Sequence, residues 1–167
     1  MSGIVVWLTG LPASGKTTFA EALRAALIET GRSPVVLDGD FVRAALVPAP
    51  GYGESERDGF YATLANLAAM LARQGLIVLV PASANRRAYR ERARLVAPHF
   101  IEIYLNTSLD TCIGRDPKGL YARAGAKTNA STLPGVGAEY EAPEHPDVVT
   151  LGVEDQAAID TVLALLA

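Results

Sequence analysis

The sequence predicts an α/β protein with a five-stranded parallel sheet flanked by helices. Short apolar runs of strand length alternate along the chain with longer segments of helical periodicity. Such alternation builds parallel sheets with right-handed crossovers, because parallel neighbours need a long connection between them. The first apolar run also leads directly into a glycine-rich loop and then a helix. With 167 residues, the chain is expected to form one domain spanning residues 1–167.

Six elements are predicted in the first half of the chain. The strand at 3–9 is expected to be buried, because its apolar residues are continuous instead of alternating. Apolar residues at helical spacing predict a helix from Lys16 to Thr30, which Gly31 ends. The remaining elements are a strand at 34–37, a short helix at 41–47, a helix that follows residues 52–57 and runs to about Arg73, and a strand at 76–80.

The second half is less regular. A strand at 100–105 precedes a short helix that residues 106–108 cap and that runs through Ile113. The charged segment 115–121 lies outside the alternation and predicts either a surface helical turn or a lid over bound phosphates. Residues 124–146 are long for a loop and rich in Gly, Ser, Thr and Pro, which favours a functional loop or local disorder. A strand at 147–151 and an amphipathic helix at 155–166 close the chain.

The glycine-rich loop at residues 10–17 has the pattern G-x-x-x-x-G-K-[ST], the phosphate-binding P-loop. Its glycines let backbone N–H groups surround a phosphate, and the following helix directs its positive end at the same anion. Lys16 can reach the β- and γ-phosphates, and the Thr17 hydroxyl can bind Mg²⁺. The alternative is a glycine-rich turn with an incidental lysine. The predicted nucleotide-binding residues here are Gly10, Ala13, Ser14, Gly15, Lys16, Thr17 and Thr18.

Two carboxylates, Asp38 and Asp40, follow the second strand. Functional sites of open α/β sheets lie at the carboxyl edge of the strands, where the P-loop also opens. The pair could hold Mg²⁺ through water and accept a proton from an attacking hydroxyl. The alternative is a turn with a helix N-cap, since aspartate suits both.

Five arginines follow the third strand: Arg86, Arg87, Arg90, Arg92 and Arg94. On a helix, Arg86, Arg90 and Arg94 share one face. A solvated face is expected for most of them, with Arg86, nearest the strand end, as the exception. His99 and His145 lack a metal-ligand pattern and are interpreted as structural.

Composition limits the partners. The net charge of −3 argues against broad binding to nucleic acid or membrane surfaces. The single cysteine, Cys112, excludes an intrachain disulfide and a cysteine-based zinc site, as expected for a reduced cytoplasmic compartment. No basic n-region marks a secretory signal, and the apolar runs are shorter than a membrane span. We therefore expect a cytoplasmic protein with a small-molecule partner.

The chain resembles the adenylylsulfate kinases (adenosine 5′-phosphosulfate kinases) over nearly its whole length. The matching stretches are residues 7–11 running into the P-loop, 37–40 with 42–43, 75–78, 100–104, 115–121 and 140–143. The last two, Arg-Asp-Pro-Lys-Gly-Leu-Tyr and Tyr-Glu-Ala-Pro, distinguish the family from other P-loop kinases. The resemblance implies a P-loop NTPase (nucleotide-kinase-like) fold, a lid around 115–126 and, commonly, a homodimer. It also implies ATP- and Mg²⁺-dependent phosphorylation of the 3′-hydroxyl of adenylyl sulfate.

The resemblance implies roles for individual residues. Asp38 would orient or deprotonate the acceptor hydroxyl, and Asp40 would act with Thr17 at the metal, although the two aspartates could exchange roles. Arg115 and Lys118 would close over the nucleotide and stabilise charge on the transferring phosphoryl group. The candidate catalytic residues are Lys16, Asp38, Asp40 and Lys118. The candidate acceptor-binding residues are Arg43, Tyr52, Arg57, Phe60, Ser83, Lys118 and Leu133, with both arginines on the anionic group.

Several acceptor-pocket positions depart from the family pattern. Tyr52 and Leu133 stand where the family usually has phenylalanines that stack on the acceptor, and Phe60 stands where it has asparagine. Other departures are Ala62 and Thr63 for paired arginines, Ser83-Ala84-Asn85-Arg86 for Ser-Pro-Tyr-Arg, and Gly137 for an aspartate. Phe60 either stacks on a ligand ring or belongs to the core. Two alternatives follow: a kinase of this fold for another nucleotide-linked or anionic metabolite hydroxyl, and a non-catalytic nucleotide-binding regulatory protein.

Overall fold

The computed structural model describes residues 3–126, 132–152 and 154–167. Its strands are β1 (Ile4–Thr9), β2 (Val35–Val36), β3 (Ile77–Pro81), β4 (Phe100–Leu105) and β5 (Val148–Thr150). Its helices are α1 (Lys16–Glu29), α2 (Gly39–Ala45), α3 (Glu54–Ala72), α4 (Arg87–Val96), α5 (Leu109–Arg115), α6 (Leu120–Ala126) and α7 (Gln156–Leu165). The strands pair in parallel in the order β2-β3-β1-β4-β5, so the predicted five-stranded parallel sheet is confirmed.

The central strand β1 is buried on both faces, as its continuous apolar sequence predicts. Val5 and Trp7 pack in one core cluster with residues of α3 and α4. Val6 and Leu8 pack in a second cluster with residues of α1 and α7. Successive side chains of a strand point to opposite faces, so one short apolar run supplies both cores.

Helix α2 lies two residues earlier than the predicted 41–47. Helix α2 begins at Gly39, because the Asp38 carboxylate accepts a hydrogen bond from the Asp40 N–H and caps it. It ends before Leu46, which is extended ahead of the cis Val47–Pro48 peptide. The charged segment continues into a regular helix, α6, within the predicted lid. The predicted loop 124–146 includes residues 127–131, which lie outside the described residues.

The expectation of a solvated arginine face on α4 is wrong for Arg90. Its side chain is 2% exposed and donates from Nε to Glu102 Oε1 at 2.7 Å. Its two other nitrogens donate to the carbonyl oxygens of Ala84 and Glu141. Arg86, the expected exception, is half exposed and pairs with Glu54 at 2.8 Å. The buried arginine is therefore the one that faces the polar Glu102 of β4 across a helix–strand contact.

Within residues 3–126, 132–152 and 154–167, no helix is long and apolar enough to span a membrane. His99 and His145 are both exposed in this part of the chain. The described residues include no group of three or more His, Cys, Asp or Glu side chains that could hold a metal ion.

Candidate active site

The P-loop connects the carboxyl end of β1 to the first turn of α1. At Gly10, a Cβ atom would lie 2.8 Å from the Leu105 carbonyl oxygen, so a side chain does not fit. Gly15 has φ +98°, in the left-handed region that favours glycine, and Ala13 also adopts it at φ +60°. This backbone curls the loop around the N-terminus of α1, which is the geometry of an anion-binding nest.

The Lys16 ammonium group lies across the P-loop. Its Nζ atom donates to the carbonyl oxygens of Leu11 at 2.7 Å and Gly10 at 3.1 Å. Burial disfavours the charged amine and lowers its pKa from 10.5 to about 8, against the opposing attraction of Asp40. These carbonyl contacts hold the ammonium at the mouth of the loop. From there it can turn toward the phosphates of a bound nucleotide.

Two hydroxyl groups from later segments brace the P-loop. The Thr107 hydroxyl donates to the Ser14 carbonyl oxygen at 3.0 Å, and the Tyr121 hydroxyl donates to the Pro12 carbonyl oxygen at 2.8 Å. Sequence reasoning assigned Thr107 to a helix cap and Tyr121 to the lid motif, and it missed both contacts. The signal for Thr107 was its place directly after β4, at the same edge of the sheet as the P-loop.

The two aspartates lie at the P-loop mouth with different surroundings. Asp38 is buried, and its Oδ2 atom accepts a hydrogen bond from the Thr17 hydroxyl at 2.8 Å. Asp40 is exposed and forms an ion pair with Lys118 of the predicted lid. This hydrogen bond with Asp40 raises the pKa of Lys118. Asp38 thus serves as the helix cap and also contacts the P-loop, so the two interpretations of this pair are compatible.

Two buried guanidinium groups lie together beside this edge. Arg43 and Arg57 are each 7% exposed, and neither has a carboxylate partner among the described residues. The Tyr52 ring lies 4.4 Å from the Arg43 carbon Cζ and 5.9 Å from that of Arg57. Burial lowers the pKa of Arg57, and the charge of Arg43 acts in the same direction. Two adjacent buried cations with no carboxylate partner in the described part of the chain favour an anionic ligand here.

The other predicted acceptor-binding residues, Phe60, Ser83 and Leu133, have different surroundings. Phe60 is 3% exposed in the core, and the Arg43 guanidinium covers its ring. Of its two interpretations, the structure supports the core one, because that face is closed to a ligand ring. Ser83 follows β3, and its carbonyl oxygen accepts from the Thr9 hydroxyl at 2.6 Å. Leu133 is half-buried and follows Thr132, whose carbonyl oxygen accepts a hydrogen bond from Arg57.

The remaining predicted nucleotide residues lie on helix ends. Thr18 is exposed in the first turn of α1, where backbone N–H groups have no helical acceptor. Arg115 is the exposed last residue of α5, and Lys118 follows it in the turn before α6. The Asp116 carboxylate accepts hydrogen bonds from the N–H groups of Tyr121 and Ala122, which fixes that turn. Both cations are therefore presented by one short structured segment.

Oxygen ligands at this edge suit Mg²⁺. The Thr17 hydroxyl and the carboxylates of Asp38 and Asp40 are the kind of donor that Mg²⁺ takes, with the rest from phosphates and water. A P-loop after the central strand of a parallel sheet, with carboxylates and a basic lid at the same edge, defines a P-loop kinase. The sequence profile of the adenylylsulphate kinase family matches residues 2–151. The chain belongs to this family, and the resemblance noted in the sequence is confirmed.

Relatives and solved structures agree. The chain is 42% identical to the adenylyl-sulfate kinase of Microcystis aeruginosa over 146 residues, covering 87% of this chain and 80% of the relative. It is 42% identical to that of Chloroflexus aurantiacus, covering 88% and 78%. The Mycobacterium tuberculosis APS kinase solved with AMPPNP and APS matches with a TM-score of 0.89 and 35% identity, covering 99% of this chain and 98% of that one. The predicted phosphotransferase class is confirmed.

Proposed function

We propose that this chain transfers the γ-phosphoryl group of Mg²⁺-ATP to the 3′-hydroxyl of adenylyl sulfate, giving 3′-phosphoadenosine 5′-phosphosulfate. Family membership and the similar APS kinase that carries AMPPNP and APS support this reaction. The observation that carries it on this chain is the arginine pair. Arg43 and Arg57 form a buried site of double positive charge beside the P-loop edge, which suits the phosphosulfate of the acceptor.

On the donor side, the P-loop amides and Lys16 hold the β- and γ-phosphates. To do so, Lys16 exchanges its carbonyl contacts with Gly10 and Leu11 for phosphate oxygens. Arg115 and Lys118 stabilise charge on the transferring group when the lid lies over it. Gly10, Ala13, Ser14, Gly15 and Thr18 contribute through their backbone.

Thr17 and Asp40 are the proposed residues at Mg²⁺, which neutralises charge on the β- and γ-phosphates when bound. Asp38 is the proposed group that orients or deprotonates the acceptor hydroxyl. Each of its oxygens accepts one hydrogen bond in the structure, from Thr17 and from the Asp40 N–H, which leaves a lone pair on each for the acceptor. The two aspartates can exchange these roles.

On the acceptor side, Arg43 and Arg57 bind the anion, and Tyr52 supplies an exposed ring for stacking on the adenine. Leu133 is proposed to border the same region, since it is adjacent to the Thr132 carbonyl that contacts Arg57. Ser83, after β3, is a further proposed acceptor residue. Lys118 reaches both substrates from the lid. Phe60 is proposed to act through its contact with the Arg43 guanidinium.

We also propose that residues 1–167 act as one cytoplasmic kinase domain, that 115–126 form its lid, and that two copies form a homodimer. The dimer rests on the family resemblance. Light scattering of the purified chain at micromolar concentration tests it, and a monomer mass would contradict it.

The deciding experiment is ADP release from Mg²⁺-ATP with adenylyl sulfate, measured against a reaction without acceptor. We expect acceptor-dependent release in the native chain and its loss in Lys16→Ala, with the unfolding midpoint of that variant close to native. Turnover retained by Lys16→Ala would overturn the P-loop assignment. Nucleotide binding without acceptor-dependent release would point to a different acceptor hydroxyl or to a regulatory protein.

A further inference from the structure

Three aromatic rings in contact, those of Phe60, Tyr61 and Tyr89, lead away from the Arg43 guanidinium. Phe60 of α3 is 3% exposed, and its ring centroid lies 3.9 Å from Arg43 Cζ. The Phe60 ring also contacts the Tyr61 ring edge-on, at 5.2 Å between centroids. Tyr61 in turn stacks on Tyr89 of α4 at 4.8 Å. The Tyr61 hydroxyl accepts a hydrogen bond from the Ala84 N–H at 3.0 Å. Phe60 is thus packed in the core and also contacts the charged guanidinium of Arg43.

Arg43 contacts two aromatic rings. Its Cζ atom lies 4.4 Å from the Tyr52 ring centroid and 3.9 Å from the Phe60 ring centroid. Its Nη1 atom donates to the Gly51 carbonyl oxygen at 2.6 Å and to that of Pro50 at 3.3 Å. In the described part of the chain, no hydrogen bond engages its Nε or Nη2 atom. A ligand oxygen can therefore accept hydrogen bonds along the edge of the guanidinium that carries these donors.

We propose that Phe60 is a positioning residue for the acceptor: its buried ring fixes the plane of Arg43, so that the free edge of the guanidinium meets the anionic group of the acceptor. This inference rests on the proposed function, because it needs an anionic acceptor at Arg43. Phe60 itself does not touch the acceptor.

The two rings that contact Arg43 differ in their exposure to solvent. Tyr52 is 52% exposed and precedes α3, whereas Phe60 is buried within that helix. A ligand can displace the Tyr52 ring or stack on it, but it cannot reach Phe60. The orientation of Arg43 during acceptor binding therefore depends on Phe60. Fixing a binding group in advance improves affinity because less rotamer entropy is lost when the ligand binds.

The test compares Phe60→Leu, which keeps an apolar side chain but removes the ring, with Phe60→Tyr, which keeps the ring. For Phe60→Leu we expect the KM for adenylyl sulfate to rise about tenfold, with the KM for ATP within twofold of native. Phe60→Tyr should restore a near-native KM for adenylyl sulfate. Phe100→Leu is the control, because it removes another arginine–aromatic contact, 4.7 Å from Arg94 Cζ to the ring of Phe100 at the start of β4. It should leave both KM values unchanged.

A double-mutant cycle separates positioning from general packing. If Phe60 acts through Arg43, Phe60→Leu should change the KM for adenylyl sulfate less than twofold in an Arg43→Lys background. Equal effects in both backgrounds, or an unchanged KM in Phe60→Leu alone, would overturn the inference. Should Phe60→Leu not fold, Phe60→Met is measured in the same way. Failure of the native chain to turn over adenylyl sulfate would instead refute the proposed function.

Discussion

At the scale of single residues, the site depends on charges held in unusual surroundings. Lys16 is the clearest case, because burial lowers its pKa to about 8 while the P-loop carbonyls hold its ammonium group. A phosphate placed beside the amine favours its charged form and raises that pKa again. Nucleotide binding is therefore linked to proton uptake at alkaline pH.

The sign of this linkage sets a pH prediction. Below pH 8 Lys16 is already charged and affinity is flat. As the pH rises above 8, the free protein loses the proton that the complex keeps, so affinity falls, by up to about tenfold per pH unit. We expect the Kd of a non-hydrolysable ATP analogue, measured by calorimetry from pH 7 to 9.5, to rise above pH 8. Lys16→Arg is the control, since its guanidinium does not titrate there. A flat native profile would contradict the assignment.

At the scale of elements, the proposed lid, residues 115–126, contacts the rest of the site through Tyr121 and Lys118. Tyr121 donates to the Pro12 carbonyl oxygen of the P-loop, and Lys118 pairs with Asp40 of α2. The first contact is largely buried, whereas the side chains of the ion pair are 59% and 64% exposed. Exposed ion pairs contribute little to stability, so this one can open when nucleotide binds.

We expect Lys118→Ala in the proposed lid to lower kcat strongly while it changes the stability of the protein only slightly. Losing an exposed pair should change the free energy of unfolding by less than about 1 kcal/mol. Losing a cation over the transferring phosphoryl group should lower kcat about 10²–10³-fold. Urea unfolding and ADP release measure the two effects. Arg24→Ala removes a comparable exposed pair with Glu21 and should alter neither quantity. A near-native kcat in Lys118→Ala would contradict the proposed catalytic role of Lys118.

At the scale of the whole molecule, one buried ion pair connects segments far apart in sequence. Arg90 of α4 pairs with Glu102 of β4 and also donates to the carbonyl oxygens of Ala84 and Glu141. It thereby joins the segment after β3, the strand β4 and the segment before β5. Removing one member of a buried pair leaves the other charge without a partner in a poor solvent for it.

Arg90→Leu should therefore lower the free energy of unfolding by about 3–5 kcal/mol. The fluorescence of the single tryptophan, Trp7, which is buried in β1, reports the transition in urea. Arg92→Leu is the matched control on the same helix, because its pair with Asp58 is exposed and should be worth less than about 1 kcal/mol. Equal losses in the two variants would show that Arg90 gains nothing from its buried contacts.

The P-loop and the parallel sheet show how much local sequence can predict. Residues 10–17 predict a phosphate site because the motif is contiguous, and its geometry depends on neighbours along the chain. The sheet was predictable because continuous apolar runs can be buried only on both faces. The helix α6 was not predicted as regular, since its first turn depends on hydrogen bonds to the Asp116 carboxylate and on the Tyr121 hydroxyl hydrogen-bonded to the P-loop.

The sequence by itself determined the fold class, the P-loop, the family and the candidate charges, because each follows from periodicity or from a contiguous motif. Only the tertiary structure decided which charges are buried and what they contact. It placed Arg90 in the core, and it placed the Phe60 ring in the core in contact with the Arg43 guanidinium. These outcomes depend on contacts between side chains of separate segments, and the spacing of residues along the sequence does not specify such contacts.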